Sequence, residues 1–390
     1  MKVSDNRSYA IAGSKLISSI LTFFFYGLLI KFLKSNDFVI FQVSLGIAAF
    51  LNWFLDFGLV NISILRNATA NQKEMHEAWL LRTIIYIFSL TIILSAVFFG
   101  ISSGILLIFM SLLIDFAYES GSSFRQNFYS IRSITTITIG KRTLILVAVI
   151  FLSKFEKISL TNIAVIMLAI NIPLYVRDLY NLRKFGGKIN FSLLHSSKKY
   201  WFQSGGTILA NLDSLILKIL SAENVIEVLA LTRRISNALG LLGSSLVPDS
   251  MFRVSKDKND ISELKGTIFR ISILTLAASI IVLISFPFIY YYFTEEKLAT
   301  YFYPFVTVAI LIVPLGVITA NLNAVILALE LTSIAAVSTY SSSISYLLFI
   351  VIGKMTDNLL VGITIGILMN SLIELVIQVV SLKNNKGKSE

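Results

Sequence analysis

About twelve stretches of roughly twenty mostly apolar residues follow one another along this chain, and each is long enough to cross some 30 Å of hydrocarbon as a helix. Their limits are 9–33, 38–64, 79–99, 101–121, 131–152, 159–181, 200–220, 225–248, 267–293, 300–329, 332–352 and 358–382. A backbone inside lipid must satisfy its own hydrogen bonds, so such a series folds only as helices. The expected class is all-α and polytopic. Composition agrees, because only 14% of residues are charged where a soluble domain carries about a quarter. The fifth stretch is interrupted by Lys141 and Arg142, and the tenth carries Pro304 and Pro314, which predict two half-helices there. The first exceeds a signal-peptide core in length and carries Lys15 and Lys31, so it reads as a retained helix.

The chain holds 33 Lys+Arg against 22 Asp+Glu, a net charge of +11. In a soluble protein that excess suggests nucleic acid, but here the basic residues sit between apolar runs, where they set topology. Connections on the N-terminal side hold Lys2, Arg7, Arg66, Lys73, Arg82, Arg125, Arg132, Arg177, Arg183, Lys184, Lys188, Lys198, Lys199, Arg253, Lys256, Lys258, Lys265, Arg270, Lys383, Lys386 and Lys388. The other side holds only Lys31, Lys34, Lys154, Lys157, Lys218, Lys297 and Lys354, a bias of about three to one that places both termini in the cytoplasm. There is no Cys, and His76 and His195 are the only histidines, so no metal centre is expected. No phosphate-binding GxxxxGK[ST] loop and no large outer loop occurs, which argues against an ATPase and against an enzyme.

The longest polar connection, 183–199, falls mid-chain and divides it into an N-terminal six-helix lobe, 1–182, and a C-terminal one, 200–390. A shift of 187 residues lays Ile30-Lys31-Phe32-Leu33 on Leu217-Lys218-Ile219-Leu220, Leu59-Val60 on Leu246-Val247, and Arg66 on Arg253. Since six is even, the halves enter the membrane in the same sense, as parallel repeats related by a pseudo-two-fold axis along the membrane normal with a site expected between them. Pro173, Pro248, Pro287, Pro304 and Pro314 all fall in or at the ends of spans, where they kink helices and serve either as hinges or as ordinary membrane prolines. Gly362 and Gly366 predict close helix packing inside the fold. Asp56-Phe57-Gly58 lacks any kinase context, and the hydroxyl run Ser338 to Ser345 reads as packing or cavity lining. Tyr290, Tyr291 and Tyr292 at the end of the ninth span are belt residues that also offer faces for stacking on sugar.

Charges at membrane depth carry the functional signal. Lys15, Lys141, Arg142, Arg233 and Arg234 lie within spans, and each costs about 2.5 to 3.5 kcal/mol if it faces lipid. They are expected to face protein or water, where cations from both halves make a site for an anionic group such as a diphosphate. Asp56, Asp115, Glu119, Asp213 and Glu374 also lie at depth. One reading makes them structural partners, with Asp115 and Glu119 one turn apart and able to pair with Lys141, Arg142 or Arg125. The other makes Asp213 and Glu374, with Asp56 and Asp115 behind them, ion-coupling groups that exchange a proton or bind Na⁺.

Lys15 early in the first span, Asp56-Phe57-Gly58-Leu59 with Arg66 after the second, Asn211-Leu-Asp213 and Leu215-Ile-Leu-Lys218 in the seventh, and Arg233-Arg234-Ile235 with Pro248 in the eighth together resemble a known family. It is the polysaccharide-flippase branch of the multidrug/oligosaccharidyl-lipid/polysaccharide (MOP) exporter superfamily, closest to Wzx-type O-antigen flippases. The resemblance covers nearly the whole chain through loose motifs, and about twelve spans set it apart from the fourteen-span lipid II flippase branch. It implies a MATE-like fold, a bacterial inner-membrane location and no bound cofactor beyond H⁺ or Na⁺ coupling. The implied activity moves an undecaprenyl-diphosphate-linked oligosaccharide from the cytoplasmic to the periplasmic leaflet by alternating access. Implied partners are that lipid-linked substrate, membrane lipids, a polysaccharide polymerase and a chain-length regulator. The alternatives are a cation-coupled multidrug exporter of the same superfamily, which wants acids where Lys15 stands, and a membrane enzyme of polysaccharide assembly.

Overall fold

The computed structural model describes residues 2–59, 72–95, 100, 102–120, 125, 129–155, 158–182, 188–244, 261–329 and 331–386; among these the regular structure is helical, with no strand. The helices are α1 Lys2–Phe32, α2 Ser35–Asp56, α3 Gln72–Ser95, α4 Ser103–Ser120, α5 Ile131–Ser153, α6 Leu160–Leu182, α7 Ser192–Leu209, α8 Asp213–Ile219, α9 Glu223–Ser244, α10 Ile261–Thr294, α11 Tyr303–Leu311, α12 Val313–Ala328, α13 Thr332–Met355 and α14 Leu359–Lys386. Arg66, Pro248, Arg253 and the Leu246-Val247 match fall outside the described residues.

Every apolar stretch of the sequence carries a helix, but among the described residues ten segments, rather than about twelve, have the length and apolarity to cross a membrane. The seventh and eighth stretches fall short for physical reasons. α7 carries the polar run Ser196-Ser197-Lys198-Lys199 in its first half, and a 3₁₀ turn, Ala210–Leu212, separates it from α8. α9 carries Glu223, Glu227, Arg233 and Arg234. The fifth stretch, whose apolar run Lys141 and Arg142 interrupt, forms a span-length helix, and α5 runs unbroken through both.

Two compact units divide the chain: residues Phe32–Lys218 form one, and Met1–Lys31 with Ile219–Glu390 form the other. The unit boundaries fall at the ends of the first and seventh stretches, whereas the sequence places the lobe boundary in the 183–199 connection.

In the unit of residues 32–218, small residues let the seventh stretch approach α2 closely. A Cβ on Gly46 would stand 2.5 Å from the Asn211 carbonyl oxygen, and one on Gly58 would stand 2.5 Å from the Trp201 nitrogen. Gly58 has φ +73° following Phe57 at φ 48°, so Asp56-Phe57-Gly58 is a left-handed helix terminus that Gly adopts at least cost. Trp201 stacks on Trp53 at 5.1 Å and accepts a hydrogen bond from Trp53 Nε1 on its carbonyl (2.9 Å).

The other unit holds α1 through Gly27, which lies under the Phe293 ring, and through the exposed ion pair of Lys31 with Glu295 (2.8 Å). That pair holds the Glu295 carboxyl below the usual carboxylate range, chiefly through the Lys31 hydrogen bond. The ends of α1 and α10 therefore meet. α10 keeps Leu274, Ile281, Ile284 and Phe288 exposed along one flank, the pattern of a lipid-facing helix. The tenth stretch breaks at Ile312 into α11 and α12, with Pro304 and Pro314 each in the first turn of a half-helix.

Pro314 has no N–H for the carbonyl a turn earlier, so the break frees acceptors. Beside the break, Ser236 of α9 donates to the Ala309 carbonyl at 3.0 Å. Ser236→Ala is expected to cost about 1 kcal/mol, seen as a melting midpoint lowered by a few degrees in detergent. An unchanged midpoint would mean that this hydrogen bond does not support the break.

The hydroxyl run in α13 turns inward. Ser338, Thr339 and Ser342 are buried and donate to carbonyls of their own helix at 3.0 Å, which fits packing rather than nucleophilic chemistry.

Candidate functional site

Burying a charge in a membrane helix is tolerable only if a partner arrives with it. In the unit of residues 32–218, α4 and α5 satisfy that rule with four side chains. Lys141 Nζ lies 2.6 Å from Asp115 Oδ1 and 2.6 Å from Glu119 Oε1. Arg142 reaches Asp115 Oδ2 at 3.2 Å and the same Glu119 oxygen at 3.1 Å. Asp115 and Glu119 stand one turn apart on α4 while Lys141 and Arg142 are neighbours on α5, so each carboxylate bridges both cations. Lys141 also lies 4.5 Å above the Tyr118 ring.

The sequence left two readings of this doublet open, and the geometry brings both cations to both acids. Two positive charges meet two negative ones. The lysine is wholly enclosed, Arg142 is 16% exposed, and Glu119, at 36%, is the open member of the group.

Asp56 has a partner that the sequence assigned to topology. Arg82 was counted among connection cations; it stands within α3, 1% exposed, with its Nε 2.7 Å from Asp56 Oδ1. Its guanidinium lies 5.1 Å from the Trp79 and Tyr86 rings and donates to Ser120 Oγ. The available signal was position, because Arg82 lies inside the third stretch (79–99) by the limits read from sequence.

A third cluster was also read as topology. Asp178 of α6 meets Arg125 at 3.3 Å and Arg177 at 3.1 Å, and accepts from the Tyr129 hydroxyl at 2.9 Å. Two arginines share one carboxylate there, leaving one positive charge in excess within the cluster.

Asp213 is fully buried at the start of α8, where its Oδ1 accepts from the Ser214 N–H at 2.6 Å. It occupies the point where the 3₁₀ turn hands over to the helix, so part of its role is to bind freed backbone donors.

In the other unit, Arg234 of α9 lies over the Tyr26 ring of α1 at 3.8 Å and donates to the Tyr26 hydroxyl at 2.6 Å. A buried tyrosine, 4% exposed, thus carries the guanidinium. Lys15 and Arg233 are partly buried and also engage partners. Glu374 of α14 accepts a hydrogen bond from Gln378 Nε2 at 3.1 Å, and among the described residues it makes no ion pair. No group of three or more His, Asp or Glu capable of holding a metal occurs among the described residues.

No family model matches the chain, and no curated protein matches it in sequence. Its architecture does have solved counterparts. The MATE multidrug transporter DinF-BH, solved as a complex, superposes with a TM-score of 0.75 at 10% identity, over 99% of this chain and 96% of that one. An inward-facing MATE family transporter of the MOP superfamily gives 0.70 at 12% identity, covering 96% of each chain. The lipid II flippase MurJ, in an inward closed conformation, gives 0.65 at 15% identity over 96% of this chain and 87% of that one. The chain has the MATE-like, all-α polytopic fold. Identities this low establish architecture alone.

Proposed function

We propose that the chain is a flippase that carries an undecaprenyl-diphosphate-linked oligosaccharide, an O-antigen repeat unit or a similar glycan, from the cytoplasmic to the periplasmic leaflet of a bacterial inner membrane by alternating access. A fold shared with both MATE exporters and a lipid II flippase supports a transporter; the charges select the cargo. The observation that carries the reading is that α1 from residue 13 to residue 32 holds Lys15 and no carboxylate, while α9 carries Arg233 and Arg234 and lays Arg234 over the Tyr26 ring of α1. Cations in those two helices suit a diphosphate or an acidic sugar. Lys141 and Arg142 contribute only in so far as their carboxylates release them. Glu374 is the leading H⁺ or Na⁺ coupling residue, with Asp213 second, and Asp56 and Asp115 act as fixed counter-ions. A polysaccharide polymerase and a chain-length regulator are the partners of such an activity.

Deleting the gene should cause complete lipid-linked repeat units to accumulate on the cytoplasmic face. Complementation with Arg234→Ala should restore surface polysaccharide to about a tenth of normal or less at normal protein level, since one charge-assisted contact of about 1.5 kcal/mol or more is lost. Full polysaccharide from that variant would remove Arg234 from cargo binding, and no accumulation in the deletion would remove the flippase function itself. A multidrug exporter is the second reading, favoured by the half-buried Glu374 carboxylate, which makes no ion pair among the described residues. It predicts unchanged glycans and altered dye sensitivity in the deletion.

A further inference from the structure

The two carboxylates of the α4–α5 quartet are not equivalent. Asp115 uses both oxygens, Oδ1 toward Lys141 and Oδ2 toward Arg142, and its side chain is 12% exposed. Glu119 touches both cations through Oε1 alone, at 2.6 and 3.1 Å, and is 36% exposed. It stands next to last in α4, on a side chain longer by one rotatable bond. One carboxylate is built in; the other is laid over the cations from the open side. We propose that Glu119 is a displaceable internal stand-in for an anionic ligand, and that the phosphate of a diphosphate headgroup takes its place on Lys141 and Arg142. The proposal rests on the flippase reading and deepens it by naming how the N-terminal doublet meets its cargo.

Two physical requirements give the arrangement its purpose. A carrier must return empty, and two buried cations sharing a single carboxylate would carry an uncompensated charge during that return. Glu119 supplies the missing negative charge whenever the ligand is gone. A carrier must also release its cargo, and a tethered carboxylate competing for the same N–H donors keeps the ligand from being held too tightly. A phosphate brings at least one full negative charge and several acceptor oxygens, enough to satisfy Lys141 Nζ and the Arg142 fork together. Asp115 stays in place through both states, so the doublet is never left without a counter-ion.

Removing the competitor should therefore raise affinity for the anion, which no merely structural salt bridge does. The full-length protein in nanodiscs is titrated with farnesyl diphosphate, with farnesol as the uncharged control and inorganic pyrophosphate as the headgroup alone. Glu119→Gln is expected to bind farnesyl diphosphate about tenfold more tightly than the unaltered chain, because close charge pairs couple by about 1.5 kcal/mol or more and about 1.4 kcal/mol is tenfold. Glu119→Asp keeps the charge but shortens the reach, and should shift affinity in the same direction by less. Arg142→Gln should weaken binding. Equal affinity in Glu119→Gln and the unaltered chain, or a lowered melting midpoint with no change in affinity, would overturn the proposal. If diphosphate binding then still depends on Arg234, the flippase reading survives without it. If neither the unaltered chain nor any variant distinguishes farnesyl diphosphate from farnesol, the flippase reading falls and this proposal with it.

Discussion

Arg82→Met is expected to remove most of the folded protein from detergent extracts, and adding Asp56→Leu to the same chain is expected to bring it back. Arg82 is among the largest wholly enclosed side chains, and its Nε sits 2.7 Å from Asp56. Taking the arginine away leaves a carboxylate without its cation inside a helix bundle, a loss of about 3 to 5 kcal/mol against a total stability of about 5 to 15. Replacing both partners by apolar residues of similar size removes the uncompensated charge, and buried ion pairs exchanged in this way are often neutral. Part of the loss is not recovered, because the guanidinium also lies against Trp79 and Tyr86 and donates to Ser120. The measurement is monodisperse yield and melting midpoint of the single and double variants. A double variant no better than Arg82→Met would show that the ring and hydroxyl contacts of the guanidinium, not its ion pair with Asp56, carry its stabilising effect.

Gly362→Leu should be nearly as damaging, through shape rather than charge. α13 and α14 pack backbone to backbone where Gly353 faces Gly362; a Cβ on Gly362 would lie 2.7 Å from Gly353 Cα and closer still to the Phe349 carbonyl oxygen. Neither neighbour is a side-chain tip that can swing away, so the helices must separate along their length. Overpacking of this kind costs about 1 to 3 kcal/mol in a deformable core and more against backbone. Gly316→Ala is the matched control, because nothing lies within 4 Å of a Cβ there and alanine favours the helix. Equal melting midpoints for Gly362→Leu and Gly316→Ala would contradict the close approach. The pair Gly362 and Gly366 thus works inside the fold, as the spacing predicts, with Gly366 against Tyr346.

Helix content, the position of the apolar stretches and the break near Pro314 were legible from the sequence because each depends on local terms: length against bilayer thickness, backbone satisfaction, and a missing N–H. The presence of charge at depth was legible for the same reason. Which charge meets which was not. Asp56 lies 26 positions from Arg82, Lys141 lies 22 from Glu119, and Tyr26 lies 208 from Arg234, and no local rule selects those pairs from the many that sequence allows. Arg82 was misplaced because a basic residue at the start of a span looks alike whether it faces a headgroup or a buried carboxylate. The compact units were equally beyond a linear reading. The polar connection 183–199 is the natural divide on paper, yet glycines at 46 and 58 admit the seventh stretch against α2, and Tyr26, Gly27 and Lys31 fasten α1 to residues 219–390. Burial and contact between segments far apart in sequence decide packing, and those exist only once the chain is folded.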